Sequence, residues 1–145
     1  MNLRENYSFQ LQDLLDQILL LGSMVEGNVH KAVQALARRD HALARQVCEF
    51  DQKVNQKRYE IEDSCVTLVV TQQPMASDAR FLIAVLEIST ELERIGDYAK
   101  GISRITILMG EDKIESSILA YLNQMEETGL QMLRAALDAF CRRDS

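Results

Sequence analysis

Apolar residues recur every three or four positions along most of the chain, which is the spacing of an amphipathic helix. The first such run begins near Leu11 and is followed by the polar segment ARRD, residues 37–40. Its apolar positions are Leu14, Ile18, Leu21, Val25, Val29, Ala32 and Leu36. We find no strand-like alternation of any length in the sequence, so the pattern predicts an all-α fold.

Two further helices are predicted on either side of the segment TQQPMASD, residues 71–78. Asp40 is placed to cap the second helix, because its side-chain oxygen can accept from a free amide in the first turn. Pro74 should end that helix, since proline lacks an amide donor and disfavours helical geometry at the preceding residue. Ser77 or Asp78 should then cap the third helix. The second helix carries Leu43, Val47, Phe50, Val54, Ile61 and Leu68 as its apolar positions.

The third helix has the most regular apolar stripe of the chain, formed by Val85, Ile88, Leu92, Ile95, Ala99, Ile102, Thr106 and Met109. A seam of this kind favours near-antiparallel packing against the two preceding helices. Gly110 fits a helix stop, and Asp112 with Glu115 fits a capping box for a fourth helix. The expected architecture is an antiparallel three-helix bundle followed by a fourth helix.

The end of the chain resembles the end of its first helix. The segment LRAALDAFCRRD, residues 133–144, aligns without gaps on VHKAVQALARRD, residues 29–40. Chance similarity between two amphipathic helices stays open as the alternative. The repeat interpretation divides the chain into a first three-helix repeat, residues 1–110, and the first helix of a truncated second repeat, residues 111–145.

A partial second repeat would leave an apolar helix side without its partners. That side of the fourth helix carries Leu119, Leu122, Met125, Leu133 and Leu137. Because apolar surface of this extent is usually covered, we expect either a homodimer or a fourth helix folded onto the bundle.

Composition and charge exclude several classes of partner. The 145 residues are 47% hydrophobic and carry a net charge of −6, which opposes attraction to nucleic acid or anionic lipid. The longest apolar stretch is far short of the roughly 20 residues that span a bilayer, and the amino terminus lacks a signal-peptide pattern. We therefore expect a soluble, cytoplasmic protein without direct membrane insertion.

Cys48, Cys65 and Cys141 lack Cys-x-x-Cys spacing, which favours buried thiols over a zinc site.

Two pairs of oxygen-bearing side chains are spaced four residues apart beside the predicted apolar stripes. Glu93 and Asp97 lie on the third helix, and Asp51 and Asn55 lie on the second. If the helices pack antiparallel, these four side chains could approach one another and offer oxygen ligands to a hard cation. The alternative is a solvated helix face, on which neighbouring basic residues offset a repulsion of only a few tenths of a kcal/mol.

Three segments together resemble the PhoU family of phosphate-signalling proteins. The segment ELERIGDYAKGISR, residues 91–104, resembles the signature of that family. Residues 22–55, GSMVEGNVHKAVQALARRDHALARQVCEFDQKVN, resemble its first helical hairpin, and residues 61–80, IEDSCVTLVVTQQPMASDAR, resemble the turn that follows. The resemblance extends from about Phe9 to Arg104.

The resemblance implies a three-helix bundle used twice in a full-length member. It also implies a bound divalent or trivalent metal ion, such as iron, zinc or nickel, held by acidic motifs on the second and third helices. In this sequence those positions are Glu93 and Asp97, with Asp51 and Asn55 as the second pair. Asn55 is a neutral ligand and departs from the acidic pattern.

The function implied by the resemblance is regulatory and not enzymatic. Family members are negative regulators of phosphate uptake that link the ATPase of a phosphate ABC transporter to a phosphate-sensing histidine kinase. Arg80 and Arg94 are the matching residues expected to face a partner, whereas Asp78 fits better as a helix cap. Ala79 replaces a family leucine in this turn. A metal-free helical scaffold, or a regulator of a different transporter, stays open as the alternative.

Two other functions of helical bundles are disfavoured. A ferritin-like di-iron enzyme needs Glu-x-x-His motifs on facing helices, and Glu26 and His30 are four residues apart and not three. A histidine phosphotransfer domain would use an exposed histidine as the acceptor, but His30 lacks a surrounding phosphotransfer motif. The sequence therefore predicts neither catalytic residues nor an organic cofactor.

Overall fold

A computed structural model of the chain describes residues 3–142, which form four α-helices and no strand. These are α1 (Leu3–Arg38), α2 (His41–Gln72), α3 (Ala76–Met109) and α4 (Ser116–Arg142). The predicted all-α fold is confirmed. Arg143, Asp144 and Ser145, which close the possible repeat, lie outside the described residues.

Helices α1, α2 and α3 pack against one another around a shared apolar core. Residues 51 and 58 of α2 contact residues 100 and 93 of α3, so these two helices run antiparallel. The core contains Leu14, Ile18, Leu21, Val25, Val54, Ile61, Cys65, Leu68, Phe81, Leu82, Val85 and Leu92. The stripes read from the sequence therefore supply most of the buried surface.

Two of the predicted helix ends are confirmed. Asp40 precedes α2, and its carboxylate accepts from the backbone amide of Leu43 at 2.9 Å. Gly110 ends α3 with a φ of 58°, a conformation that glycine adopts without strain from a side chain. The turns at these two positions also touch, because the Arg39 guanidinium donates to the carbonyl of Glu111 at 2.5 Å.

The predicted caps of α3 and α4 are wrong. Helix α3 begins at Ala76 after an extended Met75, so Ser77 and Asp78 already lie in its first turn, and α3 has no side-chain cap. Helix α4 begins only at Ser116. The amide of Asp112 instead closes a turn onto the carbonyl of Met109 at 3.1 Å, which takes Asp112 out of a capping box.

Helix α4 folds back onto α1. Leu130 is buried, and Leu133, Leu137 and Phe140 pack against the bundle core. The rings of Phe140 and Phe81 stack with centroids 5.6 Å apart. The second of the two predicted outcomes for α4 is therefore observed.

None of the helices in the described part of the chain is both long and apolar enough to cross a membrane.

Candidate cation site between α2 and α3

The predicted site is centred on Asp51, whose side chain is fully buried where α2 meets α3. Its Oδ2 accepts from the Lys100 ammonium at 3.0 Å and from the Asn55 amide at 3.5 Å. Gly96 makes this close approach possible, because a Cβ atom there would lie 3.6 Å from Asp51 Oδ1 and 3.2 Å from Val54 Cγ1. The helices therefore bring a buried acid of α2 against the backbone of α3.

Two acceptor atoms in this centre, which is formed by Asp51, Asn55 and Lys100, are left without a hydrogen-bond partner. The Oδ1 atoms of Asp51 and Asn55 are both buried, and neither has a hydrogen-bond partner among the described residues. A buried acceptor that loses water without gaining a donor costs free energy. The centre thus has unused capacity to accept a donor or a cation.

The third predicted ligand, Glu93, is held by an arginine of α2. The Arg58 Nε lies 3.4 Å from Glu93 Oε2, and the same guanidinium lies 3.3 Å from Glu62 Oε2. It also lies 4.9 Å from the ring centroid of Tyr59, within reach of a cation–π interaction. Glu93 is partly buried in this arrangement, whereas Asp97 is exposed on α3.

The arrangement is a pair of ion pairs between α2 and α3. No three His, Cys, Asp or Glu side chains within residues 3–142 stand together in a way that could hold a metal ion. Lys100 and Arg58 already hold Asp51 and Glu93 in ion pairs. Metal binding by Asp51, Asn55, Glu93 and Asp97 stays a prediction.

The structure pairs Lys100 with Asp51, which the sequence did not predict, and it buries Asp51, which the prediction places beside the apolar stripe. The predicted stripe of α2 contains Phe50 and leaves Asp51 beside it, whereas Asp51 is buried and Phe50 is only partly buried. The signal was available, since Asp51 lies four residues after Val47 and three before Val54, in the seam itself. An acid in a seam requires a nearby cation, and Lys100 is that cation.

The two predicted partner-binding arginines lie on α3. Arg80 is exposed, and Arg94 is exposed and forms hydrogen bonds of 2.8 and 3.0 Å with the carboxylate of its neighbour Glu91. At 100° per residue they fall within roughly 60° of each other around the helix, together with Ile83, Tyr98 and Ile105. These three apolar or aromatic side chains are all more than half exposed.

His30 contributes to the contact between α1 and α4. Its Nδ1 lies 2.5 Å from Glu126 Oε1, and the neighbouring Glu26 is paired with Arg134 of α4. His30 therefore helps to hold α4 against α1.

The three cysteines are free thiols. Cys65 lies in the core, where burial raises its pKa to about 11. The pKa of Cys141 is also raised by burial, with a smaller effect from Asp138. A raised thiol pKa disfavours the thiolate, which is the form that binds metals and attacks substrates.

Comparison with known proteins gives a consistent result. The family model described as PhoU domain matches residues 18–106. The phosphate-specific transport system accessory protein PhoU homolog of Pseudomonas putida is 34% identical over 144 residues, covering 99% of this chain and 56% of that protein. The accessory protein PhoU of Escherichia coli (strain K12) is 35% identical over 138 residues, covering 95% of this chain and 57% of that protein.

Solved structures agree with the sequence comparison. The crystal structure of PhoU from Pseudomonas aeruginosa superposes with a TM-score of 0.87 at 35% identity, covering 95% of this chain and 66% of that chain. The PhoU structure from Streptococcus pneumoniae gives a TM-score of 0.83 at 32% identity, covering 92% of this chain and 62% of that chain. The chain thus spans little more than half the length of the curated relatives that it matches.

Proposed function

The chain belongs to the PhoU family, and we propose that it is an accessory protein of phosphate transport that restrains phosphate uptake and phosphate-starvation signalling. The observation that carries this proposal is the match of the PhoU domain over residues 18–106, together with relatives named as accessory proteins of the phosphate-specific transport system. The proposed role is regulatory and is carried out in the cytoplasm.

The proposed mechanism is that of an adaptor, which uses the outward face of α3 to contact the transporter ATPase and a phosphate-sensing histidine kinase. We define this α3 face by Arg80, Ile83, Arg94, Tyr98 and Ile105. It is long, since residues 80 and 105 are separated by about 37 Å at 1.5 Å per residue. Arginine and tyrosine are also the side chains that most often dominate the binding energy of protein interfaces.

A bacterium deprived of its own PhoU protein provides the test. Expressed in such a strain with abundant phosphate, the chain should lower the activity of a phosphate-starvation reporter and slow phosphate uptake. Arg80→Ala should weaken this effect, while Arg45→Ala, at an exposed position on α2, should leave it intact. A stably expressed chain that changes neither readout would contradict the proposed role.

We further propose that metal binding, where it occurs, uses Asp51, Asn55, Glu93 and Asp97. The two unpartnered buried oxygens of Asp51 and Asn55 support this assignment, while the ion pairs of Lys100 and Arg58 would have to open. Elemental analysis of the purified protein, compared with the Glu93→Ala, Asp97→Ala double variant, separates this proposal from a metal-free scaffold. Equal metal content in the two proteins would contradict it.

We also propose that two copies of the chain associate through the outward side of α4. Ile118, Tyr121, Met125 and Met132 share that side, and each is about half or more exposed. Light scattering coupled to size-exclusion chromatography should give twice the 16.5 kDa of one chain. Met125→Glu should shift the protein to the monomer, and a wild-type protein that already runs as a monomer would rule out the proposal.

A further inference from the structure

The centre between α2 and α3 contains an unusual buried charge. Among the Asp, Glu, Lys, Arg and His side chains that the structure describes, Asp51 is the only one that is fully buried. Removing a carboxylate from water is unfavourable unless a cation or several donors lie against it. The fold therefore requires a positive charge at this point of the α2–α3 contact.

Lys100 supplies that charge from α3. Its ammonium lies 3.0 Å from Asp51 Oδ2, and the Asn55 amide donates weakly to the same oxygen. The side chain of Lys100 is 27% exposed, whereas that of Asp51 is 0% exposed. The acid is thus fixed inside the bundle, and the cation reaches it from the edge of the bundle, where it can also withdraw into solvent.

The oxygens around Lys100 match the ligands that a metal ion would use. Asp51 Oδ1 and Asn55 Oδ1 are buried acceptors with no donor in the described part of the chain. Carboxylate and amide oxygens are ligands that hard divalent cations accept. An ammonium and a metal ion would therefore compete for one carboxylate, since two cations so close together repel.

We infer that Lys100 is the resident cation of this centre: its ammonium occupies the position at Asp51 that a metal ion would need. The charge of Asp51 is therefore balanced without metal, and a divalent ion reaches Asp51 only by displacing Lys100. This inference deepens the metal-binding part of the proposed function, but it stands on the Lys100–Asp51 contact and survives if no metal binds.

The Lys100→Met variant tests the inference, because methionine keeps most of the aliphatic stem and removes the charge. In the presence of EDTA we expect its thermal midpoint to fall by about 5–10 °C, since one partner of a buried pair is lost. Lys53→Met is the matched control, because Lys53 is an exposed lysine of α2. A charge at an exposed position contributes little to stability, so the control should stay within about 2 °C of the wild type.

The second measurement is the affinity for Mn²⁺, determined by electron paramagnetic resonance of the free ion. Lys100→Met should bind Mn²⁺ roughly tenfold more tightly than the wild type, and Mn²⁺ should restore its thermal midpoint. The Lys53→Met control should bind Mn²⁺ as the wild type does. A wild type that binds Mn²⁺ through Asp51 as tightly as Lys100→Met would overturn the inference.

The double variant Asp51→Asn, Lys100→Met shows whether the stability lost by Lys100→Met comes from the unpaired charge of Asp51 or from changed packing. Removing both charges should recover most of the stability that Lys100→Met loses, because no uncompensated carboxylate remains. If Lys100→Met is as stable as the wild type in EDTA, the inference is wrong. If it is destabilised and no variant binds Mn²⁺, the inference holds and the metal-binding proposal fails.

Discussion

At the scale of single residues, the approach of α2 to α3 depends on one glycine. Gly96 brings the backbone of α3 against Val54 and Asp51, whereas Gly101, five residues later, has open space where its Cβ would lie. The two glycines share a helix and differ only in what faces them. Their substitutions should therefore have opposite effects on stability.

We predict that Gly96→Leu lowers the free energy of unfolding by about 1–3 kcal/mol, because the added side chain overpacks the contact with Val54. Gly101→Ala should raise it by about 0.5–1 kcal/mol, since alanine is the better helix former and meets no neighbour. Urea unfolding followed by circular dichroism measures both values. A Gly96→Leu variant as stable as the wild type would show that the helices can separate at this point without cost.

Cys65 gives a prediction about pH. Burial raises the pKa of its thiol from 9.0 to about 11 in the folded chain. The folded state therefore keeps the thiol proton at pH values where the unfolded state loses it. The stability that the protonated thiol contributes is fully present below pH 9 and is lost as the pH rises towards 11. In urea unfolding between pH 8 and 10.5, wild-type stability should fall more steeply than that of Cys65→Val. Parallel pH profiles for the two proteins would contradict this assignment.

At the scale of helices, periodicity in the sequence predicted all four elements, but it could not predict every boundary. The stripes of α1 and α3 follow from side-chain spacing, which is a local property. Caps depend on which amide is free, and Asp112 is used in a turn closed onto Met109. The spacing of Val47 and Val54 puts Asp51 in the seam of α2. The cation that balances its charge, Lys100, is 49 residues away and could not be predicted from local spacing.

The missing cap of α3 can be supplied by one substitution. Met75 has the extended backbone of an N-cap, with φ of −66° and ψ of 162°, and its side chain is 77% exposed and forms no capping hydrogen bond. Met75→Ser should raise the free energy of unfolding by about 0.5–1 kcal/mol, because the serine oxygen can accept from a first-turn amide. Met75→Ala is the control and should change stability little. Equal stability of the serine and alanine variants would show that a side chain at position 75 cannot reach the free amides.

At the scale of the whole molecule, α1, α2 and α3 share one core, whereas α4 lies on its outside. Leu130 is the one buried residue of α4, and the partly buried Leu133, Leu137 and Phe140 touch the core from that side. The apolar stripe of α4 is wider than this contact, which leaves its outward side exposed. This arrangement is what the predicted division at residue 110 requires, although the division itself stays a prediction.

The double variant Leu130→Ala, Phe140→Ala tests that division. Truncating both side chains should weaken the docking of α4 by about 2–4 kcal/mol, since Leu130 is buried and Phe140 is partly buried against the core. Native-state hydrogen exchange should then show faster exchange across residues 116–142 and unchanged protection in the centres of α1, α2 and α3. Gln131→Ala, at an exposed position of α4 outside the proposed dimer side, is the control and should leave both regions as they are. If α1, α2 and α3 lose protection together with α4, the four helices form a single cooperative unit, and the boundary at residue 110 is wrong.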